Sequence, residues 1–183
     1  QIRDRTSWSC AHGVERWRSD CGCRLGGKDL QQRWRGPLRE SLDALKERLD
    51  AIYEEEGGKL FPDPWGTLGA YGKHLLSRRD EDLVAFVRDA MGRDPGPEEI
   101  TTALKILEMQ RHGQLMFTSC AWFFDEISGI ESLQVLKFAA RAIQLAERNF
   151  SADLEKDFLK ILEKAPSNDP RFTNEQTVAL GGY

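Results

Sequence analysis

A regular spacing of leucines constrains the fold of this chain more than any other feature of its sequence. In the segment GPLRESLDALKERLDAIYEEEGG, apolar side chains recur at intervals of three or four positions. They are Leu38, Leu42, Leu45, Leu49 and Ile52. This spacing puts them on one side of an α-helix, because a helix turns once in about 3.6 residues. Pro37 suits the first turn of that helix and Gly57-Gly58 suits its end.

Similar spacing along the remaining chain predicts further helices. Two shorter patterns cover 68–79 and 80–91, a long one begins at Pro97, and two more cover about 131–150 and 152–164. Ser151 is a candidate N-cap for the last of these. No alternating apolar pattern of strand length is present. The sequence therefore predicts an all-α fold, a bundle of about six helices.

The 183 residues are enough for one compact domain with a sizeable core. We expect an irregular segment rich in Cys, His and Trp over 1–36, a helical bundle over 37–165, and a linker or truncated region over 166–183. A polar, glycine-containing segment has too little apolar surface to order by itself. The segment 1–36 is therefore expected to pack on the bundle.

The charge and the cysteine content restrict partners and compartment. A net charge of −4 gives no global basic surface, which argues against nucleic acid as a partner. Residues 1–36 are locally basic, which can indicate an anionic partner but is more typical of a segment folded against an acidic body. No apolar run approaches the ~20 residues of a membrane span, and no leader is evident at the start. Four cysteines in a chain of this size favour a cytoplasmic protein with thiols or a bound metal.

One short stretch, SWSCAHGVERWRSDCGC, holds Cys10, His12, Cys21 and Cys23. Thiolate and imidazole are preferred ligands of Zn²⁺, so these four side chains are candidates for a tetrahedral site. The C-x-C spacing argues against a standard zinc finger. Two alternatives stay open, namely a disulfide from Cys10 to Cys21 or Cys23, and buried thiols that act as small apolar side chains.

Aromatic and charged residues are interleaved in the same stretch. Trp8 and Trp17 lie close in sequence to Asp20, and a pyranose ring stacks on indole while its hydroxyls require oriented polar groups. A second stretch, TSCAWFFDEISGIES, joins Trp122 to Asp125 and Glu126, and paired carboxylates beside aromatic rings can perform acid and base catalysis. In both stretches the alternative is structural, with tryptophans in the core and carboxylates at helix ends.

Three segments also resemble a known family. TSWSCAHGVERWRSDCGC, RGPLRESLDALKERLDAIYEE and EMQRHGQLMFTSCAWFFDEISGIESLQVLKFAARAIQLAE are similar to an uncharacterised helical domain. That domain occurs C-terminal to the catalytic domain in proteins of the glycoside hydrolase family 57 type, relatives of α-amylases and α-mannosidases. The resemblance implies an upstream catalytic barrel in the same polypeptide, which would carry the catalytic carboxylates of a glycoside hydrolase or glucanotransferase.

The resemblance favours a helical accessory domain that contributes side chains to a carbohydrate-binding cleft and is not catalytic alone. Its expected sugar-facing residues are Trp8, His12, Trp17, Asp20, Trp122, Asp125 and Glu126. The first alternative is a zinc-stabilised structural module with Cys10, His12, Cys21 and Cys23 as ligands. A hydrolase that uses Asp125 and Glu126 is disfavoured, because adjacent helical residues point about 100° apart.

Overall fold

The computed structural model describes residues 4–7, 9–26, 29–76 and 79–172, and their regular structure is helical. The helices are α1 Arg35–Leu60, α2 Pro64–Tyr71, α3 Asp80–Met91, α4 Pro97–Leu115, α5 Cys120–Phe123, α6 Ile130–Asn149 and α7 Glu155–Leu162. Six of them have at least eight residues, and α5 is a single turn. In the described ranges no strand is formed, and one isolated β-bridge pairs Ser7 with Cys10. The predicted all-α helical bundle is confirmed.

Helix α1 buries the predicted leucine stripe. Leu38, Leu42, Leu45 and Leu49 are at most 3% exposed, and Tyr53 continues the stripe at 0%. The helix is longer than predicted, because Gly57 and Gly58 lie inside it and Leu60 ends it. A Cβ atom on Gly57 would make ordinary van der Waals contacts, at 3.4 Å from Pro64 and 3.6 Å from the Tyr53 ring, so the packing there does not require glycine.

Two helix starts differ from the predictions. Helix α2 begins at Pro64, because the Asp63 carboxylate accepts the N–H of Gly66 at 3.0 Å and so caps the first turn. Ser151 is not the N-cap of α7, since its φ of 51° is left-handed and the N-cap position belongs to Leu154. The prolines around Asp63 had suggested a turn, and the serine before an apolar pattern had suggested a cap.

The chain divides into two compact units. The first consists of Gln1–Leu45, Leu115–Ala140 and Leu154–Tyr183, and the second of Lys46–Gln114 and Arg141–Asp153. The first unit buries Trp34, Leu38, Leu42, Trp122, Phe158 and Leu162, whereas the second buries Leu49, Tyr53, Phe61, Ile106, Leu107 and Met109. None of the helices in the described ranges has the length and apolar character that crossing a membrane requires. The candidate site described next lies in the first unit.

Candidate metal centre

Four potential metal ligands converge in the N-terminal segment. One ligand atom from each of Cys10, His12, Cys21 and Cys23 lies within 4.8 Å of the other three. The Cys10 Sγ is 3.7 Å from the Cys21 Sγ and 3.8 Å from the Cys23 Sγ. The Cys23 Sγ is 3.5 Å from the His12 Nδ1.

These distances match those between ligands of a tetrahedral zinc ion. With zinc bonds of about 2.3 Å to sulfur and about 2.05 Å to nitrogen, two sulfurs lie about 3.8 Å apart and sulfur lies about 3.6 Å from nitrogen. Disulfide sulfurs, by contrast, are about 2.05 Å apart. All four cysteines of the chain are free thiols in this structure. Three of the six separations therefore match three thiolates and one imidazole around a single ion, and the other three are at most 4.8 Å.

Two glycines shape the backbone around the ligands. Gly22, between Cys21 and Cys23, has a φ of 76°, a left-handed conformation that side chains with a Cβ adopt at a cost. Its N–H is held at 3.1 Å by the Asp20 carboxylate. Gly13 has a φ of 74°, and a Cβ atom there would lie 2.8 Å from the Arg5 carbonyl oxygen. The left-handed conformation of Gly22 lets the thiols of Cys21 and Cys23 both approach Cys10. The C-x-C spacing alone did not predict this approach.

The thiols differ in burial and in acidity. Cys10 is 6% exposed, Cys21 and Cys23 are half-buried, and His12 is exposed. Burial opposes ionisation of Cys10, but the N–H groups of His12 and Arg16 and the two neighbouring thiols lower its pKa to about 7. Burial and the nearby Cys10 raise the pKa of Cys21. Cys10 is therefore the first of this pair to become a thiolate.

A buried arginine ties the ligand segment to the helices. Arg35, the first residue of α1, is fully buried and donates from Nη1 to the Cys23 carbonyl oxygen at 2.8 Å. Its Nη2 donates to the Phe124 carbonyl oxygen at 3.3 Å and lies 3.8 Å from the Asp125 carboxylate. Burial lowers the pKa of Arg35 and the Arg16 guanidinium lowers it further, whereas Cys21, Asp125 and Asp20 raise it. Arg35 thus connects the ligand segment to the start of α1 and to the residues after α5 by specific polar contacts.

Asp125 collects hydrogen bonds from two parts of the chain. Its Oδ2 accepts the N–H of Leu25 at 2.8 Å and also that of Gly26. Its Oδ1 accepts from the side-chain amide of Gln32 at 3.1 Å. The carboxylate is 8% exposed, so these donors replace most of its water. Asp125 therefore holds the segment that directly follows the cysteines.

Asn168 closes this polar network from the C-terminal side. Its side-chain amide donates to the Gln31 carbonyl oxygen at 2.9 Å and to the Asp125 carbonyl oxygen at 2.8 Å. Its Oδ1 accepts the Gln31 N–H at 3.0 Å. The Glu126 carboxylate accepts the Asn168 N–H and the Ser167 hydroxyl, each at 2.6 Å. We call the bonds from Asn168 to Gln31 and Asp125 the Asn168 clasp.

The residues predicted to face a sugar have varied surroundings. Trp8 lies outside the described residues. His12 is exposed beside Cys23, and Asp20 is exposed but holds backbone N–H groups of Gly22 and Gln32. Trp17 is half-buried, and Trp122 is 1% exposed. His12, Trp17 and Asp20 thus lie in the N-terminal segment and are at least partly exposed. Trp122 is packed in the core, and the carboxylates of Asp125 and Glu126 accept hydrogen bonds. Their role toward a sugar stays a prediction.

A cavity of about 400 Å³ occurs elsewhere, in the second unit. It lies between α3 and α4 and is lined mainly by apolar side chains, among them Leu83, Val84, Ile100 and Leu104. Among the described residues that the sequence predicted to bind sugar or metal, none lines it. It therefore adds no support to a binding role for those residues.

Sequence reasoning missed three residues of this site, Gln32, Arg35 and Asn168. The helical spacing could have identified Arg35 as a buried residue, since it precedes Leu38 by three positions and Leu42 by seven. Those spacings put it on the buried side of α1, where an arginine requires acceptors. Gln32 and Asn168 had no comparable pattern, because their partners come from distant parts of the chain.

Most of the chain matches one known protein family. A family model described as "Domain of unknown function (DUF3536)" matches residues 30–179. The match includes Arg35, Asp125 and Asn168, whereas the four candidate metal ligands precede it. No curated protein and no solved structure matches the chain significantly, and the relation to glycoside hydrolase family 57 stays a prediction. Since the match spans well over half of its 183 residues, the chain belongs to the family described as a domain of unknown function (DUF3536).

Proposed function

We propose that this chain is a metal-stabilised structural module. One Zn²⁺ ion, held by Cys10, His12, Cys21 and Cys23, would fix the N-terminal segment on the helices of the first unit. The observation that carries the proposal is the spacing of the ligand atoms, all within 4.8 Å of one another. Sulfur and imidazole donors favour zinc over magnesium or calcium, which prefer oxygen donors.

The number of ligands supports a structural role for the ion. Four protein ligands complete a tetrahedron, whereas a catalytic zinc ion keeps one position for water or substrate. A polar segment with little apolar surface also gains most from an ion, because the free energy of metal binding becomes free energy of folding. A zinc–thiolate centre persists where thiols stay reduced, which agrees with the proposed cytoplasmic location.

Metal analysis of the chain, purified under reducing conditions without added zinc, tests the proposal. We expect close to one equivalent of zinc in the unaltered protein. Cys10→Ser, Cys21→Ser and Cys23→Ser should each remove most of it, because each deletes a ligand. Cys120→Ser is the matched control, since Cys120 is exposed and outside the cluster, and it should keep the full equivalent.

Replacement of zinc by Co²⁺ gives a second measurement. A tetrahedral cobalt site with thiolate ligands absorbs visible light, and the absorption should appear in the unaltered chain and in Cys120→Ser alike. Zinc-free protein that shows no tetrahedral cobalt absorption after reduction would contradict the proposal. Loss of metal from Cys120→Ser together with the cluster variants would also contradict it, because binding would then be unrelated to the cluster.

A further inference from the structure

The second unit contains a cavity between α3 and α4. Its volume is about 400 Å³, and its lining residues fall between Asp80 and Leu104. Cavities that hold small organic molecules in proteins typically measure about 300–1,000 Å³, so this one is large enough for a small ligand. The four candidate metal ligands belong to the first unit. The cavity is therefore not part of the candidate metal centre.

The walls of the cavity are apolar side chains that the fold covers incompletely. Leu83 of α3 is 9% exposed, and Val84, Ile100 and Leu104 are half-buried. Single apolar side chains on a surface are common, but here residues from two helices converge on one cavity. The walls therefore favour a ligand with an apolar body.

One carboxylate is the main polar group that the lining offers to a ligand. The Thr101 hydroxyl already donates to the Pro97 carbonyl oxygen at 2.9 Å, and Pro97 has no backbone N–H. Asp80 also lines the cavity, is exposed, and forms no ion pair with another described residue. An ionised carboxylate only accepts hydrogen bonds, so a ligand that reaches Asp80 needs a donor.

Acidic residues predominate at the cavity. Of the described residues that line it, none is basic. Arg79 pairs with Asp82 at 2.9 Å and so does not neutralise the carboxylate in the lining. The other charged residues directly next to lining residues in sequence are two exposed acids and one base, Glu81, Glu98 and Lys105. This balance attracts cations, and charged donors form the stronger hydrogen bonds to a carboxylate.

We propose that the cavity binds a small amphiphilic amine, with its apolar body between α3 and α4 and its ammonium group at the Asp80 carboxylate. The inference goes beyond the proposed function and does not rest on it. The apolar walls supply most of the contact, and Asp80 selects the head group. A neutral molecule with the same apolar body gains no ion pair, and an anionic one is repelled.

Three probes with nearly the same apolar chain test the inference. 1-Octylamine, 1-octanol and octanoate are positive, neutral and negative near neutral pH. Each is titrated into the full chain, and methyl NMR signals report binding. The signals of Leu83, Val84, Ile100 and Leu104 should shift, whereas that of Leu38, in the first unit, should not. Octylamine should bind about 2–5-fold more tightly than octanol, as expected for an exposed ion pair, and octanoate should bind most weakly.

Two variants with matched controls separate the head group from the apolar walls. Asp80→Asn should abolish the preference for octylamine over octanol, whereas Asp89→Asn, an exposed acid of α3 outside the lining, should retain it. Leu104→Asn should weaken binding of all three probes about 4–15-fold, the cost of one or two buried methylene groups. Leu76→Asn is its control, because Leu76 is 96% exposed and outside the lining, and it should bind unchanged. If Leu104→Asn fails to fold, the Asp80 and Asp89 variants still decide.

Four results would overturn the inference. The first is the absence of shifts at the lining methyl groups with every probe, and the second is octanoate that binds as tightly as octylamine. The third is an unchanged preference for octylamine in Asp80→Asn, because the head group would then lie elsewhere. The fourth is a shift of the same methyl signals with protein concentration alone, because a second copy of the chain would then cover the cavity.

Discussion

Arg35 donates a hydrogen bond from Nη1 to the carbonyl oxygen of Cys23, with a length of 2.8 Å. The first residue of α1 therefore holds the backbone of a candidate metal ligand. The same guanidinium donates to the Phe124 carbonyl oxygen, next to Asp125. One buried side chain thus joins the cysteine segment, the start of α1 and the residues after α5.

Removal of metal should lower the melting temperature of the unaltered chain. A ligand present at about 100 times its dissociation constant stabilises the folded state by about 2.7 kcal/mol. In a chain of this size, that corresponds to a loss of about 5–10 °C on chelation. Calorimetry with and without a strong chelator measures it, with Cys10→Ser as the control that chelator should not affect. An equal shift in Cys10→Ser would show that the chelator acts elsewhere.

Asp125→Asn should destabilise the protein by about 3–5 kcal/mol, the usual cost of breaking a buried ion pair. The substitution removes the negative charge beside Arg35 and replaces one acceptor of the Leu25, Gly26 and Gln32 donors by an NH₂ group. Urea denaturation measures the change. Asp43→Asn, in an exposed ion pair with Arg39, is the control and should cost at most about 1 kcal/mol. Equal losses of stability in the two variants would contradict a stabilising role for the contacts of Asp125.

Asn168→Ala should reduce the free energy of unfolding by about 2–3 kcal/mol. It removes the clasp, in which two donated bonds and one accepted bond link Gln31 and Asp125. The control is Asn149→Ala, which loses one side-chain bond to the Leu145 carbonyl oxygen and should cost about 1 kcal/mol. Amide hydrogen exchange at Gln31 should also accelerate in Asn168→Ala. Unchanged exchange at Gln31 would count against the clasp.

Trp122→Ala should cost about 3–5 kcal/mol, because it empties a core site that is 1% exposed. Trp65, which is 43% exposed, provides the control, and Trp65→Ala should cost about 1 kcal/mol. Urea denaturation again gives both values. If Trp122 served mainly as a stacking platform for sugar, Trp122→Ala would leave stability nearly unchanged and weaken saccharide binding instead.

The metal-free protein should become less stable as the pH falls toward neutrality. The folded pKa of Cys10 is about 7, below its ordinary value of 9.0, so its ionised form is favoured by folding. That contribution is present above pH 9 and is lost as the pH falls through about 7. The raised pKa of Cys21 acts in the opposite sense above its ordinary value.

Urea midpoints between pH 6.5 and pH 8.5, chosen as roughly bracketing the Cys10 transition, measure this dependence. Chelator, reductant and ionic strength stay constant across the series. Cys10→Ser should flatten the slope, whereas Cys120→Ser should retain it. A slope that persists in Cys10→Ser would assign the dependence to other groups.

The fold was predictable because it depends on local patterns. The stripe from Leu38 to Leu49 identified α1, and similar spacing identified the later helices. Boundaries were less predictable, since Gly57-Gly58 is compatible with both a helix end and a helix interior. In the structure the pair lies inside α1, which continues to Leu60.

The candidate metal centre was only partly predictable. Its four ligands lie within 14 positions and were recognisable by their chemistry. Their mutual distances depend on the left-handed Gly22, and the C-x-C spacing does not reveal that conformation. The support by Arg35, Asp125 and Asn168 arises from contacts between distant positions, for which a single sequence holds no local pattern.

The Asn168 clasp also has a consequence for the order in which the chain folds during synthesis. Its bonds to Gln31 join positions 137 apart, so the ribosome must make most of the chain before they can form. Cys21 and Cys23 follow Cys10 by only 11 and 13 positions. Contacts among these three thiols therefore close a much smaller loop. We therefore expect the candidate metal centre to close early in translation and the clasp to form late. The nascent chain would then bind its ion well before Asn168 can bond to Gln31 and Asp125.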